Sequence, residues 1–241
     1  MGTTKRSFPY EKICEGIKMI YKNKFGEVDI LNKKYDFNNK IIGLSMSGGA
    51  DSTMLCYLLA KTIQEEKLNI IIQPYNGYDI DVSGDSEKLP NIIEYIRNKF
   101  PDVEIRWPIA AVFKSNYKDI KNNYIGILRK KLEKYKVYDI RIIAISQGPP
   151  LEAQTKFKSK CGRNIMRLKG HYLYDEVNDI DDKNAPFKYI DKRFMIQCYK
   201  DFEMMDVLNE MTESCTELDK CKSEKCWWCL EREWAMKEVN D

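Results

Sequence analysis

Two hydroxyls, two adjacent glycines and a carboxylate fall within Ser47-Gly48-Gly49-Ala50-Asp51-Ser52. An apolar run (Ile41, Ile42, Leu44, Met46) ends there, and apolar residues return at helical spacing as Met54, Leu55, Leu58 and Leu59. The pattern predicts a buried strand, a tight glycine turn and the start of a helix. A helix start carries N–H groups without intrahelical partners and the positive end of the dipole, so it suits a chain of phosphates. Paired glycines let the backbone curl round an anion with no Cβ in the way. The candidate phosphate-binding residues are Ser45, Ser47, Gly48, Gly49, Asp51, Ser52 and Thr53. No lysine stands directly after either glycine, which excludes a Walker A loop. The plainer alternative is an ordinary strand-to-helix turn capped by Ser and Asp.

Cys215, Cys221, Cys226 and Cys229 form a second constellation, spaced C-x5-C-x4-C-x2-C. Four thiolates at such spacing suit a tetrahedral zinc ion with no open position, and hence a structural site. The rarer reading is an iron–sulfur cluster, and the bland one a chance grouping of buried thiols. Cys14, Cys56, Cys161 and Cys198 are scattered; Cys56 sits in an apolar helix and reads as core. Cys161 lies amid Lys156, Lys158, Lys160, Arg163, Arg167 and Lys169, a cluster that reads first as a solvated face. The single histidine, His171, falls in a weakly patterned region and is read as incidental.

The elements that must hold these residues follow from periodicity. Residues 10–22 read as an amphipathic helix, and the helix opened at Asp51 runs to about Glu66. Residues 69–74 and 103–107 read as short strands, and residues 139–146 as the most apolar strand. Residues 86–99 and 114–136 read as helices, the second burying Ile120, Ile127, Leu128 and Leu132. Strands alternating with helices imply an α/β fold, a mainly parallel, doubly wound sheet with ligands beyond the carboxyl ends of its strands. Those ends carry Ser47-Gly48-Gly49, Pro74-Tyr75-Asn76-Gly77 and Ser146-Gln147-Gly148, which should converge. The organisation expected is an α/β domain over residues 1–185 and a C-terminal helical, zinc-binding extension over residues 186–241.

The 241 residues are 43% hydrophobic and 32% charged, an ordinary globular balance that excludes a disordered chain. A net charge of +3 is too even for a nucleic-acid binder by bulk electrostatics. The sequence has no run of 18 apolar residues and no apolar segment after Met1 of the kind a secretory signal needs, so a cytoplasmic protein is expected.

Ser-Gly-Gly-Ala-Asp-Ser resembles the S-G-G-x-D-S signature of the ATP-pyrophosphatase (PP-loop) superfamily. That resemblance implies an adenine nucleotide alpha hydrolase-like fold and cleavage of ATP between its α and β phosphates, with AMP passed to a substrate oxygen. The glycine loop combined with the C-terminal cysteines, Pro186-Phe187, Asp191-Lys192, Thr212 to Cys215, Arg232 and Ala235 is most similar to the 7-cyano-7-deazaguanine synthase family. That family belongs to queuosine biosynthesis; it uses ATP and ammonia to convert 7-carboxy-7-deazaguanine to the nitrile. The resemblance implies Mg2+, structural Zn2+ at Cys215, Cys221, Cys226 and Cys229, often a homodimer, and catalytic roles for Asp51 and Lys192, the latter facing the phosphates. The cysteine gaps and Glu213 before Ser214 depart from the family's usual pattern. Three alternatives stay open: a tRNA thiolase or amidotransferase, a ligase for another small acid or a protein carboxylate, and a non-enzymatic zinc module.

Overall fold

The computed structural model describes residues 19–32, 36–79, 88–113, 118–157, 184–213 and 225–241. Residues 10–18 of the helix predicted over 10–22, His171, Cys161, Cys215 and Cys221 lie outside these segments.

The described chain opens on a hairpin, β1 (Ile20–Asn23) antiparallel to β2 (Gly26–Asp29). This corrects the end of the helix expected over residues 10–22. Asn23 and Gly26 supply the turn: the Asn23 Oδ1 accepts from the Phe25 N–H at 2.9 Å, and Gly26 takes a φ of +145°. A side chain at that φ would be strained, so the glycine is required there.

The sheet that carries the site has β3 (Lys40–Ser45), β4 (Ile70–Asp79), β5 (Ile109–Phe113) and β6 (Ile140–Ile143) in the order β5-β4-β3-β6, every pairing parallel. Between them run α1 (Ala50–Glu66), α2 (Lys88–Lys99) and α3 (Lys118–Lys134). The α/β class with a parallel sheet is therefore as expected. β4 is longer than expected, so Asn76 and Gly77 lie within the strand. The expected strand over residues 103–107 shrinks to a single bridge from Ile105 to Ile72, and the true edge strand follows it.

Alternation along β3 divides the two faces. Ile42 and Leu44 join α1, α2, Ile72 and Ile142 in the main core. On the other face Ile41 packs with Tyr75, Tyr138, Leu128 and Leu132. Gly43 sits there because Tyr138 lies across it: a Cβ at Gly43 would be 2.3 Å from the Tyr138 ring. Ile127 of α3, expected to be buried, is instead 49% exposed.

After β6 come a short helix α4 (Leu151–Gln154), α5 (Lys192–Asp201), a π-helical turn (Val207–Met211) and α6 (Trp227–Asn240). Phe194, Met195 and Tyr199 of α5 and Ala235 and Val239 of α6 join the main core with α1. No helix among the described residues is long and apolar enough to cross a membrane.

Candidate functional site

β4 and β5 build outward on one side of β3 and β6 on the other, so the chain order reverses between β3 and β6. In open parallel sheets the crevice beyond such a reversal is where ligands bind. The glycine loop leaves β3 at this point, and Ser146, three residues past β6, donates from its hydroxyl to Asp51 Oδ2 at 3.3 Å across it.

The loop holds itself in shape. Met46 is anchored by its N–H to the Tyr75 carbonyl at 3.0 Å. Gly48 has a φ of +75°, with nothing within 4 Å of an added Cβ, so backbone conformation alone requires glycine. At Gly49 the reason is space: a Cβ would come within 3.1 Å of Ser47 Oγ and 3.3 Å of the Glu213 carbonyl oxygen. Ser52 Oγ donates to the Gly49 carbonyl at 3.2 Å and accepts from the Ser47 N–H at 3.3 Å, while Ser47 Oγ accepts from the Gly49 N–H. Gly49 is the N-cap of α1 and brings no side chain to it. The N–H groups of Ala50, Asp51 and Ser52 therefore begin the helix with no carbonyl four residues back inside it. Ser45 closes β3, and Thr53 is fully buried with its N–H on the Gly49 carbonyl.

The two residues expected to be catalytic meet. Lys192 Nζ lies 3.2 Å from Asp51 Oδ2, joining residues 141 positions apart in the chain. Asp191 caps α5 by accepting from the Arg193 N–H at 3.0 Å, which makes Lys192 the first residue of the helix. A cation there opposes the helix dipole. Two carboxylates offset this, because Glu231 Oε2 of α6 is also 3.3 Å from Nζ. Seven residues on from Lys192, and so on the same face of α5, Tyr199 donates its phenol to the Ala50 carbonyl at 2.9 Å. Burial, and then the Asp51 carboxylate, push the Tyr199 phenol well above its ordinary value, so it remains a neutral donor.

A second arm from α6 reaches the loop. Arg232 donates to the carbonyls of Leu208 and Thr212 and to Thr212 Oγ1, collecting the end of the π-helical turn. Burial draws its guanidinium below the ordinary value. The next residue, Glu213, donates its N–H to the Gly48 carbonyl at 3.1 Å and pairs its carboxylate with Lys88 of α2 at 2.8 Å. Glu231, Arg232 and Glu213 carried no assigned role in the sequence. For Glu231 a signal existed: it stands at four-residue spacing with Trp227, Ala235 and Val239, which are all buried, so a carboxylate occupies a core position.

Asp51 and Glu231 set two carboxyl groups about the one amine of Lys192. Asp51 Oδ1 is buried and makes no hydrogen bond among the described residues. An oxygen-seeking Mg2+, which keeps most of its own waters, fits such a carboxylate beside the glycine loop. Of the four cysteines expected to bind metal, Cys226 caps α6 and Cys229 lies in its first turn, with Sγ atoms 3.5 Å apart. That is too long for a disulfide and close to the edge of about 3.8 Å that Zn–S bonds of about 2.3 Å give a tetrahedron. The pair fits two corners of a zinc site; Cys215 and Cys221 lie outside the described residues. Trp227 and Trp228 lie between the two cysteines in the chain, and Trp227 meets Phe157 edge-on with ring centroids 5.6 Å apart.

Fold and site together define a parallel α/β protein with a glycine loop at its switch point and a buried Asp–Lys–Glu cluster beneath it. No protein-family profile matches the chain, and no curated protein does. Among solved structures, it is similar to the U34-tRNA thiolase NcsA from Methanococcus maripaludis, which carries a 4Fe-4S cluster. The TM-score is 0.48 at 13% identity, over 88% of this chain and 75% of that one.

Proposed function

We propose that this protein is an ATP-dependent enzyme of the PP-loop kind that adenylates a carboxylate and passes the acyl group to a nitrogen nucleophile. The observation that carries this reading is the pairing of Lys192 with Asp51, where the glycine loop enters α1. In the reaction, the N–H groups of the loop and the hydroxyls of Ser47 and Ser52 hold the β and γ phosphates. A substrate carboxylate oxygen bonds to the α phosphorus, the bond from that phosphorus to the bridging oxygen breaks, and pyrophosphate leaves with the electron pair. Lys192 neutralises the charge that builds on it. Asp51 would hold Mg2+, which when bound would supply further neutralisation of the phosphates. Ammonia then attacks the acyl carbon and AMP departs. No Cys or His nucleophile is required, because positioning and electrostatics carry the chemistry.

The substrate favoured by the family resemblance is 7-carboxy-7-deazaguanine, converted first to the amide; a second ATP then adenylates the amide oxygen, which leaves as AMP while the nitrogen gives up two protons, and the nitrile results. The test is incubation with ATP, Mg2+, ammonia and 7-carboxy-7-deazaguanine, followed by detection of AMP and nitrile. Both products are expected. AMP without nitrile would retain adenylation and remove this substrate, and no AMP would reject the reading. The four cysteines are proposed to bind Zn2+, which metal analysis tests directly.

A further inference from the structure

The ammonium of Lys192 is shared between two carboxylates at nearly equal distance, 3.2 Å for Asp51 and 3.3 Å for Glu231. The two differ in access. The Asp51 side chain is 19% exposed and stands where the loop enters α1, whereas Glu231 is 0% exposed and belongs to a helix that begins 176 residues after Asp51. A buried anion cannot itself bind phosphate, and the ion pair with Lys192 links Glu231 to the loop. The lysine ammonium is a point charge on one flexible four-carbon stem, and its helix end repels that charge. A leaving group gains from a cation only when the cation is already where the charge will develop.

We infer that Glu231 is the positioning residue for Lys192: it fixes the ammonium from within the core, leaving Asp51 able to exchange its share of that ammonium for the metal and the phosphates. This rests on the adenylation reading above. Two consequences run in opposite directions. As an anion near an anion-binding loop, Glu231 weakens binding of ATP in the ground state. As the anchor of Nζ, it strengthens stabilisation of the departing pyrophosphate. Damage to the fold would worsen both, so the split identifies the role.

The experiment measures AMP release with ATP, Mg2+, ammonia and 7-carboxy-7-deazaguanine for the wild type, Glu231→Gln, Lys192→Met and the double variant. For Glu231→Gln, kcat is expected to fall by at least about tenfold while KM for ATP stays level or falls by up to about threefold. If Glu231 acts through Lys192, adding Glu231→Gln to Lys192→Met costs no further kcat. Should Lys192→Met fail to fold with Glu231 left unpaired, the split in Glu231→Gln alone decides. A Glu231→Gln kcat within about twofold of wild type, a KM that rises as kcat falls, or a further loss in the double variant overturns the inference. A wild type that releases no AMP overturns the adenylation reading, and this inference with it. A wild type that releases AMP at the same rate as Glu231→Gln overturns the inference alone.

Discussion

The Glu213 N–H donates to the Gly48 carbonyl at 3.1 Å, so the strand of chain after the π-helical turn clasps the glycine loop by its backbone. The Glu213 side chain is spent elsewhere, on Lys88. The clasp therefore depends on a donor that only proline lacks. Glu213→Pro is expected to weaken ATP binding by about tenfold, as loss of a positioned backbone bond. Thr212, extended at φ −97° and ψ 146°, already has the conformation that precedes proline. Glu213→Ala should leave affinity within about twofold, since the Lys88 pair is partly solvated. Calorimetric titration with ATP and Mg2+ separates the two, and equal affinities would rule out the clasp.

Within the loop, Ser47→Ala combined with Asp51→Ala should abolish AMP formation. Gly48→Ala should cost about 1–2 kcal/mol of stability through its φ of +75° alone. Gly48→Asn should cost less, because asparagine tolerates that region. Chemical denaturation of the three proteins gives the ranking, and Ala and Asn costing the same would contradict a purely conformational cause.

Gly43→Ala tests the opposite face of β3. Its Cβ would overlap the Tyr138 ring, which stacks on Tyr75 at 5.8 Å between centroids. Overpacking of this kind costs about 1–3 kcal/mol. Tyr138→Leu in the same chain should return part of that loss, measured by the urea midpoint. A double variant no more stable than Gly43→Ala would mean that the ring is not the obstacle.

If Cys226 and Cys229 hold zinc with Cys215 and Cys221, the protein as purified contains one zinc per chain, and a strong chelator removes it. Removal should alter the emission of Trp227 and Trp228, which stand between the two cysteines at the start of α6, and lower Tm. Iron, with visible absorption near 400 nm, would instead favour an iron–sulfur cluster.

Alkaline pH should destabilise the fold while neutral pH leaves it level. Burial pushes the Cys56 thiol up from 9.0 to about 12, and raises the Cys198 thiol and the Tyr57 and Tyr199 phenols as well. Each group binds its proton more tightly folded than unfolded. The stabilisation is complete below the unfolded values and is lost as pH climbs through the interval up to the folded ones. For Cys56 that interval runs from 9.0 to about 12. Tm should hold between about pH 7 and 8.5 and then fall steadily. A Tm that rises in that range would mean these groups are not buried as protonated forms.

Much of the architecture was legible because local signals were strong. The glycine loop between β3 and α1 combined an apolar run, paired glycines and a helical period, and it formed where expected. The edge strand was not legible. Residues 103–107 are apolar enough for a strand, yet the strand is residues 109–113, because these pair with the far half of β4, from Tyr75 to Asp79. Pairing register is set by the partner strand and leaves no local mark. The same holds for Ile20, whose helical spacing yielded to a hairpin closed by Asn23 and Gly26.

Sequence alone determined the chemistry on offer: a glycine loop, a carboxylate and a lysine each at a helix start, and a set of thiols. Tertiary structure decided which of these meet. Lys192 and Glu231 are separated along the chain from Asp51, and only the packing of α5 and α6 on α1 gathers them round one ammonium. A buried charge must find its counter-charge through space, and that partner is chosen by the fold rather than by neighbouring residues.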